Sequence, residues 1–147
     1  MDSWEVGARV AILDTISQYA HAGDRLQLAE LAATFVEEGV LEIRDGATLR
    51  GRDAIIAFLG DVPASAEEGP GGRGGAMVRH HVASTRFVSV SPEAARVESY
   101  FAVYTAIGLD HFGRYRDVFA RVDDRWLIQH RYVSVDWTAP QSRFASR

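Results

Sequence analysis

The chain has 147 residues, 47% of them apolar and 24% charged, which is enough for one globular domain, 1–147, with a single core. It contains no cysteine, so disulfides, thiolate metal sites and cysteine nucleophiles are excluded. The formal charge of −4 argues against nucleic acid as the main partner. No apolar run approaches the roughly 18 residues that span a bilayer, and "MDSWEVGARV" is acidic and amphipathic rather than signal-like. The expectation is a cytoplasmic protein with no membrane partner.

From Trp4 to about His21 the residues Trp4, Ala8, Ala11, Ile12, Ile16, Tyr19 and Ala20 recur at spacings of three and four, one face of a helix capped by Asp2 or Ser3. Gly23 is a natural stop. A second helix is predicted over about Leu26 to Phe35, with Asp24 between the two. "GVLEIRDGATLRG" reads as a hairpin turning at Asp45-Gly46, and "GRDAIIAFLGDV" as a short third helix.

Residues 63–76, "PASAEEGPGGRGGA", hold five glycines and two prolines and predict a loop, either a tether or a lid over a cavity. Beyond it the chain turns to strands over about Met77–Val90, Ala95–Ile107, Phe112–Val122 and Trp126–Trp137. Their short joints, "SPEA", "GLDH" and "DD", suit an antiparallel meander. No internal repeat and no phosphate-binding loop is present. Three helices followed by a long curved sheet make an α+β plan, with a ligand pocket between helices and sheet.

The stretch "RHHVASTRFVSV" places two histidines on one strand. Strict alternation sends them to opposite faces: His81 with Ala83, Thr85 and Phe87, His80 with Val82, Ser84 and Arg86. They therefore cannot chelate one ion together. In the last strand Leu127, Gln129, Arg131, Val133 and Val135 share a face opposite Trp126, Ile128, His130, Tyr132 and Ser134. Both faces mix polar and apolar groups, so periodicity alone does not identify the inner one. Asp24 either caps the second helix or turns its carboxylate toward the pocket. In the second case, a carboxylate beside an imidazole fixes one ring tautomer and frees the other nitrogen as a general base.

In order, "QYAHAGDRLQLAELAATFVEEGVLEI", "LRGRDAIIAFL", "RHHVASTRFVSV", "ARVESYFAVYT" and "GRYRDVFARVDDRWLIQHRYVSVDW" resemble the SnoaL-like branch of the nuclear transport factor 2-like superfamily, over about Val6 to Trp137. That branch includes scytalone dehydratase, bile acid 7α-dehydratase and hexachlorocyclohexane dehydrochlorinase. The resemblance implies a cone-shaped α+β fold in which three N-terminal helices pack on a strongly curved, mainly antiparallel sheet around a cavity. It also implies a homo-oligomer, trimer or dimer, and no metal or organic cofactor.

Carried over by position, the family's catalytic aspartate and histidine fall on Asp24 and His81, the latter because the run to the strand's end matches from "HVASTRFVSV". Tyr19 and Arg131 take the places of substrate-binding groups. Gln129 shares the face of Arg131, Phe101 and Val103 line the apolar part, and Tyr115 adds a polar group. The dehydrochlorinase has lysine in place of Tyr19, and scytalone dehydratase has a second histidine where this chain has Tyr104, Thr105 and Ala106.

The implied activity is a cofactor-independent lyase or isomerase, dehydratase-like, in which His81 abstracts a proton from a small hydrophobic molecule. The alternatives are a non-catalytic small-molecule-binding protein and a water-activating hydrolase or cyclase on the same fold. In relatives the C-terminal tail, 138–147, covers the cavity or a neighbouring subunit, and Phe144 is its one large apolar residue.

Overall fold

The computed structural model describes residues 1–61 and 77–144. The predicted loop over 63–76 and the last three residues of the tail lie outside them. The elements in order are α1 (Ser3–Asp24), α2 (Leu28–Ala32), β1 (Phe35–Ile43), β2 (Thr48–Arg50), α3 (Arg52–Gly60), β3 (Arg79–Val90), β4 (Ala94–Thr105), β5 (Gly108–Val122) and β6 (Arg125–Thr138). The six strands form one curved sheet in the order β2-β1-β6-β5-β4-β3.

The 22-residue α1 buries Ala8, Ile12, Thr15, Ile16, Tyr19, Ala20 and Ala22, most of the stripe that three- and four-residue spacing predicts, while Trp4 stays exposed and Ala11 half-buried. This stripe meets the inner face of the sheet, where Val97, Phe101, Val103, Tyr115, Phe119, Trp126 and Ile128 are all buried with it. The Thr15 hydroxyl donates to the Trp126 carbonyl at 2.7 Å, tying the helix to β6.

The meander β3-β4-β5-β6 is antiparallel as predicted, but β1 joins β6 in parallel, so the sheet is mixed. Two helical expectations shift. The first helix continues through Gly23 to Asp24 and is closed by Arg25, followed by Leu26 in the left-handed region at φ 57°. The second is a single turn that ends before Phe35, which starts β1 instead. Phe35 sits opposite Ile128 in the parallel ladder, and the Ile128 amide donates to the Thr34 carbonyl at 2.8 Å. Pairing with β6 outweighs the helical spacing of Leu28, Leu31 and Phe35, because a strand edge satisfies backbone groups that a terminating helix leaves open.

The sheet is interrupted by β-bulges that decide which side chains face inward. Along β3, Ala83 pairs with Tyr100 but Arg86 with Glu98, so β3 carries one extra residue there, and Ser84 adopts φ 52°. A second extra residue lies between Phe87 and Ser89. Along β6, Val118 faces His130 while Phe119 faces Ile128, which makes Gln129 the extra residue. Each bulge inverts the alternation beyond it.

Candidate functional site

The inner face of β3 follows from its bulges. Val78, His80 and Val82 are partly buried on one side of Ser84, and Thr85, Phe87 and Val90 on the other. Unbroken alternation would group His81 with Thr85 and Phe87; the inserted residue groups His80 with them. The structure accordingly brings Asp24 to His80 and not to His81. Asp24 Oδ1 lies 2.6 Å from His80 Nδ1, and the His80 backbone amide donates to Oδ1 at 3.1 Å and to Oδ2 at 3.2 Å.

Asp24 closes α1 rather than capping α2, whose N-cap is Gln27. The helix end therefore aims the carboxylate at the start of β3, which packs along the same helix. An ionised carboxylate only accepts, so Nδ1 carries the proton and Nε2 is the basic nitrogen. No hydrogen-bond partner for Nε2 occurs among the described residues. The His80 side chain keeps 24% of its surface exposed and Asp24 keeps 12%, so the pair is sheltered yet reachable. His81 is exposed on the outer face, its ring 4.9 Å from that of Tyr104.

Arg131 is completely buried. Its Nε and Nη2 donate to Asp117 Oδ1 and Oδ2, each at 2.8 Å, a bidentate pair across directly opposed positions of β5 and β6. The guanidinium lies over the rings of Tyr115, at 3.8 Å, and Tyr19, at 4.2 Å, a geometry in which the ring faces attract the cation. Nη1 has no hydrogen-bond partner among the described residues. A buried charged donor without an acceptor is costly, and an oxygen of a ligand would satisfy it.

Aromatic rings surround this group. Tyr115 stacks on Phe101 at 4.5 Å, and Tyr19 meets Tyr115 and Phe35 at 6.1 Å each. Tyr19, Phe101, Val103, Tyr115 and Arg131, the positions carried over from the resemblance, are all buried on the inner side. Gln129 is not: as the bulge residue of β6 it is exposed, and Arg131 reaches the core because the bulge restores the inward direction two positions later.

Burial pushes the Tyr19 hydroxyl pKa up, partly offset by the charge of Arg131. Tyr115 is pushed well above the ordinary phenol range, first by burial and then by the neighbouring Tyr19, with Asp117 and Asp24 adding to it. Both phenols therefore stay protonated. For Arg131, burial works against the charged form, but Asp117 more than compensates and the guanidinium stays charged.

Asp117 and His80 are the two site residues that sequence reasoning missed. A signal for Asp117 exists, since Tyr115, Asp117 and Phe119 alternate along β5 and an acid between two aromatics on a core face needs a cation opposite. Two other imidazole–carboxylate contacts occur: His111 Nδ1 to Asp110 Oδ1 at 2.8 Å, and the half-exposed His130 Nε2 to Glu42 Oε1 at 2.9 Å. No group of three or more His, Asp or Glu among the described residues is placed to hold a metal ion. No described helix is long and apolar enough to cross a membrane. Two hollows, of about 470 and 210 Å³, are also present, the first beside Ser89, Ser91 and Arg96 and the second reaching Tyr115 beside Ser84, Arg86, Glu98 and Arg116.

A family model described as a SnoaL-like domain matches residues 4–132. Among solved structures, the chain is similar to a provisionally named scytalone dehydratase from Novosphingobium aromaticivorans, with 25% identity, a TM-score of 0.75, and coverage of 95% of this chain and 91% of that one. It is also similar to LinA, with 17% identity, a TM-score of 0.76, and coverage of 97% and 96%. ActVI-ORFA from Streptomyces coelicolor is 22% identical, with a TM-score of 0.73 and coverage of 88% and 98%. No curated protein matches the chain.

Proposed function

The chain belongs to the SnoaL-like domain family, and from that premise we propose that it is a lyase or isomerase acting on a small hydrophobic carbonyl compound, with His80 as general base and Asp24 as its orienting partner. The observation that carries this reading is the 2.6 Å contact between Asp24 and His80 Nδ1; the same inner face also holds a buried guanidinium that retains one unpaired donor. The dehydratase name of one similar structure agrees with it.

In this reading Nε2 of His80 removes a proton from the carbon next to a carbonyl. The electron pair of the broken C–H bond moves to the carbonyl oxygen, and Arg131 Nη1 donates to the enolate that forms. Asp24 stabilises the imidazolium. The enolate then either takes back a proton at another carbon, which is isomerisation, or expels a group from the β carbon, which is elimination. General base catalysis of this kind contributes about 10²–10⁴-fold, and a preorganised donor at the developing oxyanion adds about 10²–10³-fold. The chain's own side chains supply every group these steps need. The outer sheet face carries exposed Tyr100, Tyr104, Phe112 and Trp137, which supports a homo-oligomer.

A second reading, a binding protein without chemistry, draws on the packed interior, where Tyr19, Phe35, Phe101 and Tyr115 fill the space between α1 and the sheet. Deuterium uptake from D₂O by 2-tetralone, followed by mass spectrometry, separates the two. The proposal expects catalysed exchange that His80→Ala abolishes and His81→Ala retains. Exchange no faster than the buffer rate, or undiminished by His80→Ala, would overturn it.

A further inference from the structure

We propose that His111, held by Asp110, is the acid that protonates a departing hydroxyl across Val103 from His80 in the same site, an inference that rests on the general-base reading of His80. Adjacent strand residues normally point to opposite faces, yet Asp110 and His111 bond to each other. The reason is a bulge: Val103 pairs with His111 but Tyr104 with Leu109, so Asp110 is the extra residue of β5. Asp110 is buried at 2% exposure, and its carboxylate also accepts from Ser142 Oγ at 2.5 Å and from Thr105 Oγ1 at 3.4 Å. Three donors converge on one carboxylate, which fixes the imidazole through Nδ1 at 2.8 Å. No hydrogen-bond partner for Nε2 of His111 occurs among the described residues.

The His111 ring meets Phe101 edge to face at 6.1 Å, and Phe101 stacks on Tyr115, which also contacts Tyr19 and Arg131. The end of the chain encloses it further: the Ala139 amide donates to the Asp110 carbonyl, and the Phe144 ring lies 5.8 Å from His111. The side chain keeps 17% of its surface exposed. Val103 pairs with His80 of β3 on one side and with His111 of β5 on the other, so the two carboxylate-held imidazoles flank it on the inner face, with Phe101 two positions further along β4. Two imidazoles so placed suit an elimination. The base takes the α proton, the C–H electron pair forms the C=C bond, the C–O bond breaks, and the His111 imidazolium gives its proton to the oxygen so that water departs. Solvent then restores both protonation states. The substrate class is a β-hydroxy carbonyl compound with an aromatic or similarly flat apolar body that lies along Phe101 and Tyr115.

The test compares two probes, 4-hydroxy-4-phenylbutan-2-one and its O-acetyl ester, which eliminate to the same absorbing enone. Hydroxide must be protonated to leave, whereas acetate need not be. In His111→Gln the hydroxy ketone is expected to slow by about 10²-fold or more, with the ester slowed less than a tenth as much. Equal slowing of both probes, which a purely structural role would give, overturns the assignment, as does no slowing of either. His80→Ala is the control, since it must slow both. If the wild-type protein accelerates neither probe, or His80→Ala slows neither, the general-base reading fails instead.

Discussion

Asp24 holds His80 twice, through the ring nitrogen Nδ1 at 2.6 Å and through the backbone amide at 3.1 Å. The main-chain bond fixes where β3 begins relative to the end of α1, and the side-chain bond fixes the ring. A neutral amide side chain could still accept at both points but would not stabilise an imidazolium. Asp24→Asn is therefore expected to fold with an unchanged circular dichroism spectrum and to lose about 10²–10⁴-fold in turnover, measured as 2-tetralone exchange.

The Arg131–Asp117 pair is fully buried on both sides, so removing either partner strands a charge in the core. Asp117→Ala should lower stability by about 3–5 kcal/mol, as should Arg131→Ala. The double variant Asp117→Leu/Arg131→Met removes both charges and should be more stable than either single change. Urea unfolding of the four proteins measures this, and a double variant no better than the worse single one would contradict it.

Tyr19 and Tyr115 have their pKa values raised by burial. Below the ordinary phenol value near 10 they are protonated in both folded and unfolded chains and contribute no slope. As pH rises past that value the unfolded chain releases protons that the native state retains, so stability falls with increasing pH. Of the chain's five tyrosines, these two should gain tyrosinate absorbance only as the circular dichroism is lost in an alkaline titration.

Ser84 holds φ 52° at the bulge that turns His80 inward. Glycine adopts that conformation without the penalty of a Cβ, which for a left-handed residue is about 1–2 kcal/mol. Ser84→Gly should leave exchange activity intact and not lower the melting temperature. Deleting Ser84 removes the extra residue, restores plain alternation and separates Asp24 from His80. Exchange activity should then vanish.

Phe112 and Trp137 stack at 5.7 Å on the outer sheet face, each more than a third exposed. If this face is covered by a second copy of the chain, Trp137→Glu should lower the mass measured by light scattering toward that of one chain. An unchanged mass would place the contact elsewhere.

The order of helices and strands was legible because it rests on local signals: the apolar stripe of α1, the Asp45-Gly46 turn and the Asp-Asp joint between the last two strands. The predicted Gly-Leu-Asp joint instead opens β5, and the chain turns at Ala106-Ile107. Local signals did not identify the inner face; it was the resemblance to the SnoaL-like branch that placed Tyr19, Asp24, Phe101, Val103, Tyr115 and Arg131 around one cavity. Local spacing misled where pairing between distant segments decides. Phe35 satisfies a helical spacing, yet a parallel ladder with Ile128, 93 positions later (128 − 35), claims it.

The pair of histidines shows the division most sharply. By itself the sequence determined that His80 and His81 face opposite ways, since side chains alternate along any strand. Which of them meets Asp24 was decided by a single residue inserted at Ser84. A bulge is a property of two paired strands and leaves no local mark on one of them. The inserted residues at Gln129 and Asp110 acted in the same way, turning Gln129 out and bringing Asp110 and His111 together. Asp117 became legible only once β5 and β6 were in register, because a buried acid is explained by the cation directly opposite it. Side-chain chemistry was written in the chain; its direction was set by how the strands align.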